Sequence, residues 1–105
     1  LRMSDATWKA IERAVCKMLG GHRLVTDGEG RGDCAGTYPY ALEIKHRKEV
    51  PDWLKGALMQ ATVYAKHDEL PLAVIHEERQ PIKNSLVIIR LGDFADWFVG
   101  GTDEE

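Results

Sequence analysis

The sequence has few of the features that mark a secreted, membrane or zinc-binding protein. It contains only two cysteines, Cys16 and Cys34, and they do not have the C-x-x-C spacing of a zinc site or redox motif. We expect each to be a small, reduced interior residue, as is usual in a reducing compartment. No run of about 18 apolar residues is present, so no membrane span is predicted. The first residues, 1–5, lack the apolar segment of a signal peptide, and we therefore expect a cytoplasmic protein.

The chain also lacks the positive excess that many nucleic-acid-binding proteins show. Its 14 Lys and Arg residues are outnumbered by 17 Asp and Glu residues, which gives a net charge of −3. Bulk charge does not exclude nucleic-acid binding, because the position of the cations matters more. Basic residues are concentrated at 45–48, whereas acidic residues gather at 103–105, in a segment (99–105) that we expect to be a flexible tail. The composition therefore permits a phosphate-binding surface.

The length predicts one domain over residues 1–105 with a single hydrophobic core. Apolar periodicity predicts one helix from Ser4 to about Leu19, ended by Gly20-Gly21, and another from Asp52 to about His67 after Pro51. A glycine-rich loop is expected over 27–32. Five strands are predicted, at Arg23–Thr26, Asp33–Ala35, Tyr40–His46, Leu72–His76 and Ser85–Leu91. With a short terminal helix at Asp93–Phe98, the order of elements is α-β-β-β-α-β-β-α. The largely apolar strand at 72–76 indicates a buried central position in a sheet.

The third predicted strand carries the most informative residues. Because side chains alternate between the two faces of a strand, Glu43 and Lys45 share one face, and Leu42 and Ile44 share the other. Asp33, on a neighbouring strand, adds a second carboxylate. Two carboxylates beside an ammonium group can hold a divalent metal next to a positive charge, which suits phosphodiester cleavage. The alternative is a cross-strand salt bridge on a solvated face, since a Glu-x-Lys triplet often arises by chance.

Asp33 followed by Glu43-Ile44-Lys45, between a first and a second helix, resembles the PD-(D/E)xK nuclease superfamily. Within it, the chain is most similar to the small Holliday-junction resolvases of archaeal and phage type. The resemblance covers about residues 6–92. It implies a restriction-endonuclease-like core of the α/β (α+β) class, with a mixed central sheet flanked by helices. One departure is that Gly32 stands where a proline usually precedes the aspartate.

The resemblance implies a metal site that takes Mg²⁺, with Mn²⁺ as a possible substitute. Asp33, Glu43 and the backbone carbonyl of Ile44 would hold the ion, which prefers oxygen ligands. The family also carries a glutamate on the first helix, and Glu12 lies at that place. Glu12 would position a second ion or a metal-bound water.

The remaining catalytic roles are also implied by the resemblance. Lys45 would orient or activate the attacking water, or stabilise charge on phosphorus. Gln60, where the family often has a glutamine on the second helix, would donate a hydrogen bond to a water or a phosphate. For Glu12, the structural alternative is a boundary carboxylate paired with Arg13 or Lys9.

The expected partner is DNA, with a branched or four-way junction as the expected substrate. Symmetric cleavage of a junction needs two sites, so we expect a homodimer. The terminal helix with Trp97 and Phe98, or the second helix, could form its interface. Candidate contacts to DNA phosphates, each of which could instead belong to a solvated basic surface, are Arg31, His46, Arg47, Lys48, Lys55 and Arg23.

Three other functions remain open at this point. The first is a nicking, repair or restriction-type nuclease of the same fold. The second is a non-catalytic nucleic-acid-binding module. The third is a plain α/β interaction domain in which Glu43 and Lys45 form only a surface pair. If the protein is phage-encoded, the expected location is the cytoplasm of the host cell.

Overall fold

The computed structural model describes residues 5–24 and 33–100, and it shows an α+β architecture of helices and two small antiparallel sheets. The chain divides into two units, residues 1–47 and residues 48–105, which we describe separately. The α+β class is confirmed, and the order of the described elements follows the prediction except that the third strand is missing. A single nuclease domain over 1–105 stays a prediction.

The first unit begins with helix α1, Asp5–Met18. Its predicted apolar stripe is confirmed, because Trp8, Ile11 and Val15 are partly buried and Leu19, just beyond the helix, is buried. The spacing of these residues places them on one side of the helix.

Helix α1 ends where the glycine pair predicts, in a Schellman motif. The N–H of Gly21 donates to the carbonyl of Cys16 (2.9 Å), and the N–H of Gly20 donates to the carbonyl of Lys17 (3.0 Å). Gly20 has a φ of +91°, a left-handed conformation that glycine adopts without the steric penalty of a Cβ.

Two short strands follow the helix, β1 (His22–Arg23) and β2 (Cys34–Ala35), and they pair antiparallel with His22 opposite Ala35. Gly21 allows this close approach. A Cβ at Gly21 would overlap the carbonyl oxygen of Ala35 and would come within 2.7 Å of Cγ2 of Thr37. The first predicted strand extends to Thr26, but its last residues and the glycine-rich loop at 27–32 lie outside the described residues.

The predicted third strand is the main departure in this unit. Residues 41–47 alternate between exposed and partly buried side chains, as an extended segment does, but they form no regular strand ladder. The reason lies at Asp33, whose backbone carbonyl accepts from the N–H of Leu24 (3.0 Å). Its carboxylate, rather than that carbonyl, accepts the N–H of Ile44.

The second unit begins with helix α2, Asp52–Tyr64. As predicted, Pro51 lies just before the start, and its carbonyl accepts from Leu54 (3.1 Å) and Lys55 (3.2 Å). The helix ends before the predicted His67, because Ala65 adopts an extended conformation. The N–H of Lys66 then donates to the Glu69 carboxylate (2.9 Å), which stabilises a turn in place of a further helical turn.

A second two-stranded antiparallel sheet pairs β3 (Ala73–Ile75) with β4 (Leu86–Ile88). A turn and a short 3₁₀ helix, Ile82–Asn84, connect them, as expected for a hairpin-like connection. The described residues thus form two separate small sheets in place of the predicted mixed central sheet. The prediction that the 72–76 segment is a buried central strand was wrong. Within residues 5–24 and 33–100, β3 pairs with β4 alone, and Val74 is 63% exposed.

The chain continues into helix α3, Leu91–Phe94, and a π-helical turn, Ala95–Val99, which together replace the predicted helix at 93–98. Helix α2 buries Leu58, but it exposes Trp53 and Tyr64, which the apolar pattern placed on the buried side. The second unit therefore presents large apolar side chains to solvent.

Candidate functional site

Asp33 lies at the junction of β2 and the extended segment 41–47. Its N–H donates to the carbonyl of Leu42 (3.1 Å), and its Oδ2 accepts from the N–H of Ile44 (2.5 Å). These two bonds lie on either side of Glu43 along the chain. The structure therefore brings the backbone of Asp33 beside the segment that carries the Glu-x-Lys triplet, as the sequence predicts.

Glu43 and Lys45 lie on the same face of the extended segment, as their spacing predicts. Oε2 of Glu43 and Nζ of Lys45 are 3.2 Å apart, and the two side chains are 64% and 62% exposed. Leu42 and Ile44, on the other face, are partly buried. An exposed pair of this kind contributes only about 0 to 1 kcal/mol to stability, so the fold gains little from this pair.

Glu12 is buried on α1 and forms an ion pair with Arg23 of β1. The Nε of Arg23 donates to Oε1 of Glu12 at 2.5 Å, and the side chains are only 21% and 11% exposed, respectively. The sequence suggested Arg13 or Lys9 as the partner of Glu12, but its partner in the structure is Arg23 of β1. A buried, neutralised carboxylate is well suited to fixing α1 against β1.

Cys16 and Cys34 form a disulfide, so the expectation of two reduced thiols was wrong. Cys16 lies on the buried side of α1, one turn after Glu12, and Cys34 lies on β2, opposite Arg23 of β1. Their Cα atoms are 5.5 Å apart, within the range that a disulfide requires. The bond removes one ground for predicting a cytoplasmic location, since disulfides are rare in reducing compartments.

The predicted phosphate-binding residues separate into different environments. His46 points to the partly buried side and packs edge-on against Trp8, with ring centroids 5.4 Å apart. Arg47 is exposed on the side of Glu43 and Lys45, and its Nη1 donates to the carbonyl of His46 (3.0 Å). Arg31 lies outside the described residues.

Arg23 lies on β1 in the first unit, and the other predicted residues belong to the second unit. Lys48 is its first residue and is exposed, and Lys55 is an exposed residue of α2 whose Nζ lies 3.6 Å from Oδ1 of Asp52. Gln60 is also exposed on α2. Four of the five predicted catalytic residues thus share the first unit, and Gln60 belongs to the other.

Over residues 5–24 and 33–100, no three His, Cys, Asp or Glu side chains converge as metal ligands. The donor set predicted at the centre has two carboxylates and a backbone carbonyl, all hard oxygen donors of the kind that Mg²⁺ accepts together with several waters. The buried ion pair of Glu12 with Arg23 leaves Asp33 and Glu43 as the carboxylates available for such a site.

The first unit contains a basic cleft that was not predicted from the sequence. Arg13, Lys17, His22 and Arg23 line it together with Gly21, and its volume is about 470 Å³. A signal was available, because Arg13 and Lys17 have the spacing that places two side chains on one face of a helix. His22 and Arg23 join the cleft through the turn after α1, which helical spacing alone does not predict.

Neither protein-family models nor curated proteins nor solved structures yield a match to this chain. In the part of the chain that the structure describes, no helix has the length and apolarity needed to cross a bilayer.

Proposed function

We propose that this protein is a metal-dependent endonuclease that hydrolyses DNA phosphodiester bonds, with Asp33, Glu43 and Lys45 at its active site. The observation that carries the proposal is the hydrogen bond from the N–H of Ile44 to Oδ2 of Asp33. It fixes one carboxylate beside the segment that presents a second carboxylate and a lysine. Two carboxylates and an ammonium group are residue types that suit metal-assisted phosphodiester hydrolysis.

Mg²⁺ fits the chemistry of these donors. Asp33 and Glu43 would hold the ion, and the carbonyl of Ile44 is a suitable third ligand, because the N–H and C=O of one residue in an extended segment face the same edge. The ion would supply charge stabilisation on a phosphate oxygen and a water that is nucleophilic at neutral pH. Mn²⁺ is a suitable substitute, since it also accepts carboxylate and carbonyl oxygens.

Lys45 has the properties of a residue that acts on the phosphate or on the attacking water. Its ammonium group is a compact charge with rotatable donors, and it lies 3.2 Å from the carboxylate of Glu43. An arginine would instead favour a bidentate pair with the carboxylate and would compete with the ion. Lys45 can therefore donate to a phosphate oxygen or orient a water while Glu43 remains a ligand.

We propose that the substrate is branched DNA and that the activity is Holliday-junction resolution. The fold that we propose for the protein is of the PD-(D/E)xK type. Cutting both strands of a junction symmetrically requires two active sites, which means a homodimer. The exposed aromatic side chains support an interface on the second unit, since Trp97 and Phe98 are each 53% exposed and Trp53 on α2 is 63% exposed.

A non-catalytic nucleic-acid-binding module is the second candidate. It is favoured by the charge pairing within the first unit, where Glu12 is neutralised by Arg23 and Glu43 is paired with Lys45. Under this proposal the carboxylates serve to position basic side chains, and DNA binds without being cut.

Cleavage of a labelled four-way junction and a matched linear duplex, with Mg²⁺ or with chelator, separates these functions. We would compare the wild type with Asp33→Asn and Lys45→Ala, and Lys83→Ala, an exposed lysine of the second unit, is the matched control. Paired nicks in the junction alone, lost with chelator and in both site variants but kept in Lys83→Ala, support a resolvase. Cleavage of both substrates keeps the nuclease and rejects junction specificity. Binding without cleavage, with Mn²⁺ also tried, establishes the second candidate.

A further inference from the structure

The basic cleft of the first unit extends along α1 as a row of cations. Lys9, Arg13 and Lys17 are spaced at i and i+4, so they lie along one face of the helix, and all three are exposed. Lys9 and Lys17 are separated by about 12 Å along the helix axis. We call the row together with His22 and Arg23 the α1 basic surface.

Within the described part of the chain, the three cations of the row on α1 have no carboxylate partner, whereas Arg23 is paired with Glu12. Among the residues that the structure describes, no carboxylate lies within 4.0 Å of Lys9, Arg13 or Lys17. Like charges at i and i+4 destabilise a helix by about 0.2 to 0.5 kcal/mol per pair, so the row is unfavourable for the isolated helix. The negative end of the helix dipole stabilises Lys17, which lies in the last turn of α1, but Arg13 and Lys9 lie further from that end.

Arg23 connects this surface to the rest of the first unit. Its Nε is used by Glu12, which leaves the two terminal nitrogens of the guanidinium as further donors. His22 precedes it on β1 and lines the same cleft. The ion pair with Glu12 therefore fixes Arg23 at the cleft wall, where it is prepared to bind an anion without the entropy loss of an unrestrained side chain.

We propose that the α1 basic surface binds the phosphate backbone of a nucleic acid strand. A row of about 12 Å is longer than one phosphate group, so an extended polyanion fits it better than a small anion does. This inference rests on the proposed nucleic-acid function but not on Asp33, Glu43 or Lys45. It adds Lys9, Arg13, Lys17 and His22 to the residues expected to contact DNA.

The test is DNA binding in the presence of chelator, so that no cleavage takes place. Binding of a labelled duplex is measured by fluorescence anisotropy over a range of salt concentrations. The variant is Arg13→Gln/Lys17→Gln, which keeps good helix formers on α1. Its control is Lys66→Gln/Lys83→Gln, which removes the same charge from exposed positions of the second unit. Circular dichroism and thermal unfolding establish that both variants are folded.

We expect Arg13→Gln/Lys17→Gln to bind about tenfold more weakly and to lower the slope of log K against log salt by about 2, since each phosphate contact contributes about 0.9. The control should match the wild type. An unchanged slope in the variant, or an equal loss in the control, overturns the proposal. Displacement of DNA by low concentrations of inorganic phosphate, or binding of polyglutamate as tight as that of DNA, also overturns it.

Cleavage assays on the same proteins separate this inference from the nuclease proposal. Cleavage by the wild type with no effect of Arg13→Gln/Lys17→Gln on binding rejects only the α1 basic surface. No cleavage by the wild type, together with weaker binding by that variant, rejects only the nuclease.

Discussion

Oδ2 of Asp33 lies 2.5 Å from the backbone nitrogen of Ile44, so a side chain joins residue 33 to the segment that carries Glu43 and Lys45. This carboxylate has two separable roles. One oxygen satisfies a backbone donor, and the group as a whole is the proposed metal ligand. Substitutions that keep one role and remove the other can therefore distinguish folding from catalysis.

Asp33→Asn should fold nearly as well as the wild type, whereas Asp33→Ala should be less stable. The amide oxygen of Asn can still accept from the N–H of Ile44, but alanine leaves that partly buried donor without this acceptor, at a cost of about 1 to 3 kcal/mol. Urea unfolding of the three proteins measures the difference. Both variants should lack cleavage under the nuclease proposal, and equal stability of the two would contradict the hydrogen bond.

Cys16→Ser/Cys34→Ser should lower the free energy of unfolding by about 3 kcal/mol, because the bond closes a loop with a sequence separation of 18. Urea unfolding with and without a thiol reductant measures this loss. The reductant should destabilise the wild type by a similar amount and leave the double variant unchanged. Alkylation of both cysteines in the native, unreduced protein, detected by mass spectrometry, would show that the bond is absent.

Features that are determined by neighbouring residues can be predicted from the sequence, whereas features that depend on distant contacts cannot. The end of α1 at Gly20-Gly21 and the alternation of residues 41–47 follow from neighbouring residues, and both are confirmed. The partner of Glu12 depends on the packing of α1 against β1. The Cys16–Cys34 bond joins α1 to β2, which is held beside β1 by strand pairing. The spacing of residues within one segment does not predict such contacts between segments.

Burial in the second unit also could not be predicted from local sequence. The helical period places Trp53 and Tyr64 on the apolar side of α2, yet they are 63% and 77% exposed. Similarly, the apolar run at 72–76 resembles a central strand, but among the described residues β3 pairs with β4 alone. An apolar pattern identifies residues that favour burial without giving the surface that would bury them.

Gly21→Ala should destabilise the protein, and Gly56→Ala should not. A Cβ at Gly21 would overlap the carbonyl oxygen of Ala35, so β1 and β2 would have to move apart. At Gly56, inside α2, a Cβ meets no atom of the described residues within 4 Å, and alanine should stabilise the helix by about 0.5 to 1 kcal/mol. Thermal unfolding of both variants gives the comparison, and equal shifts would contradict the close approach of Gly21 to residues 35–37.

The two ion pairs of the first unit differ in burial and should differ in energy. The pair of Glu12 with Arg23 is largely excluded from solvent, whereas Glu43 and Lys45 are mostly exposed. Water and salt screen the exposed charges, and holding two long side chains together has an entropic cost. Removing one partner of the buried pair instead leaves a charge with little solvation.

Double-mutant cycles with Glu12→Gln and Arg23→Gln should therefore give a coupling energy of about 1 to 3 kcal/mol. The matched cycle with Glu43→Gln and Lys45→Gln should give about 0 to 1 kcal/mol. Urea unfolding at low and high salt measures both, and only the smaller coupling should fall strongly with salt. Equal couplings would contradict the structural role of Glu12. A small coupling for the exposed pair, together with loss of cleavage in Lys45→Gln, would mean that this lysine serves chemistry rather than folding.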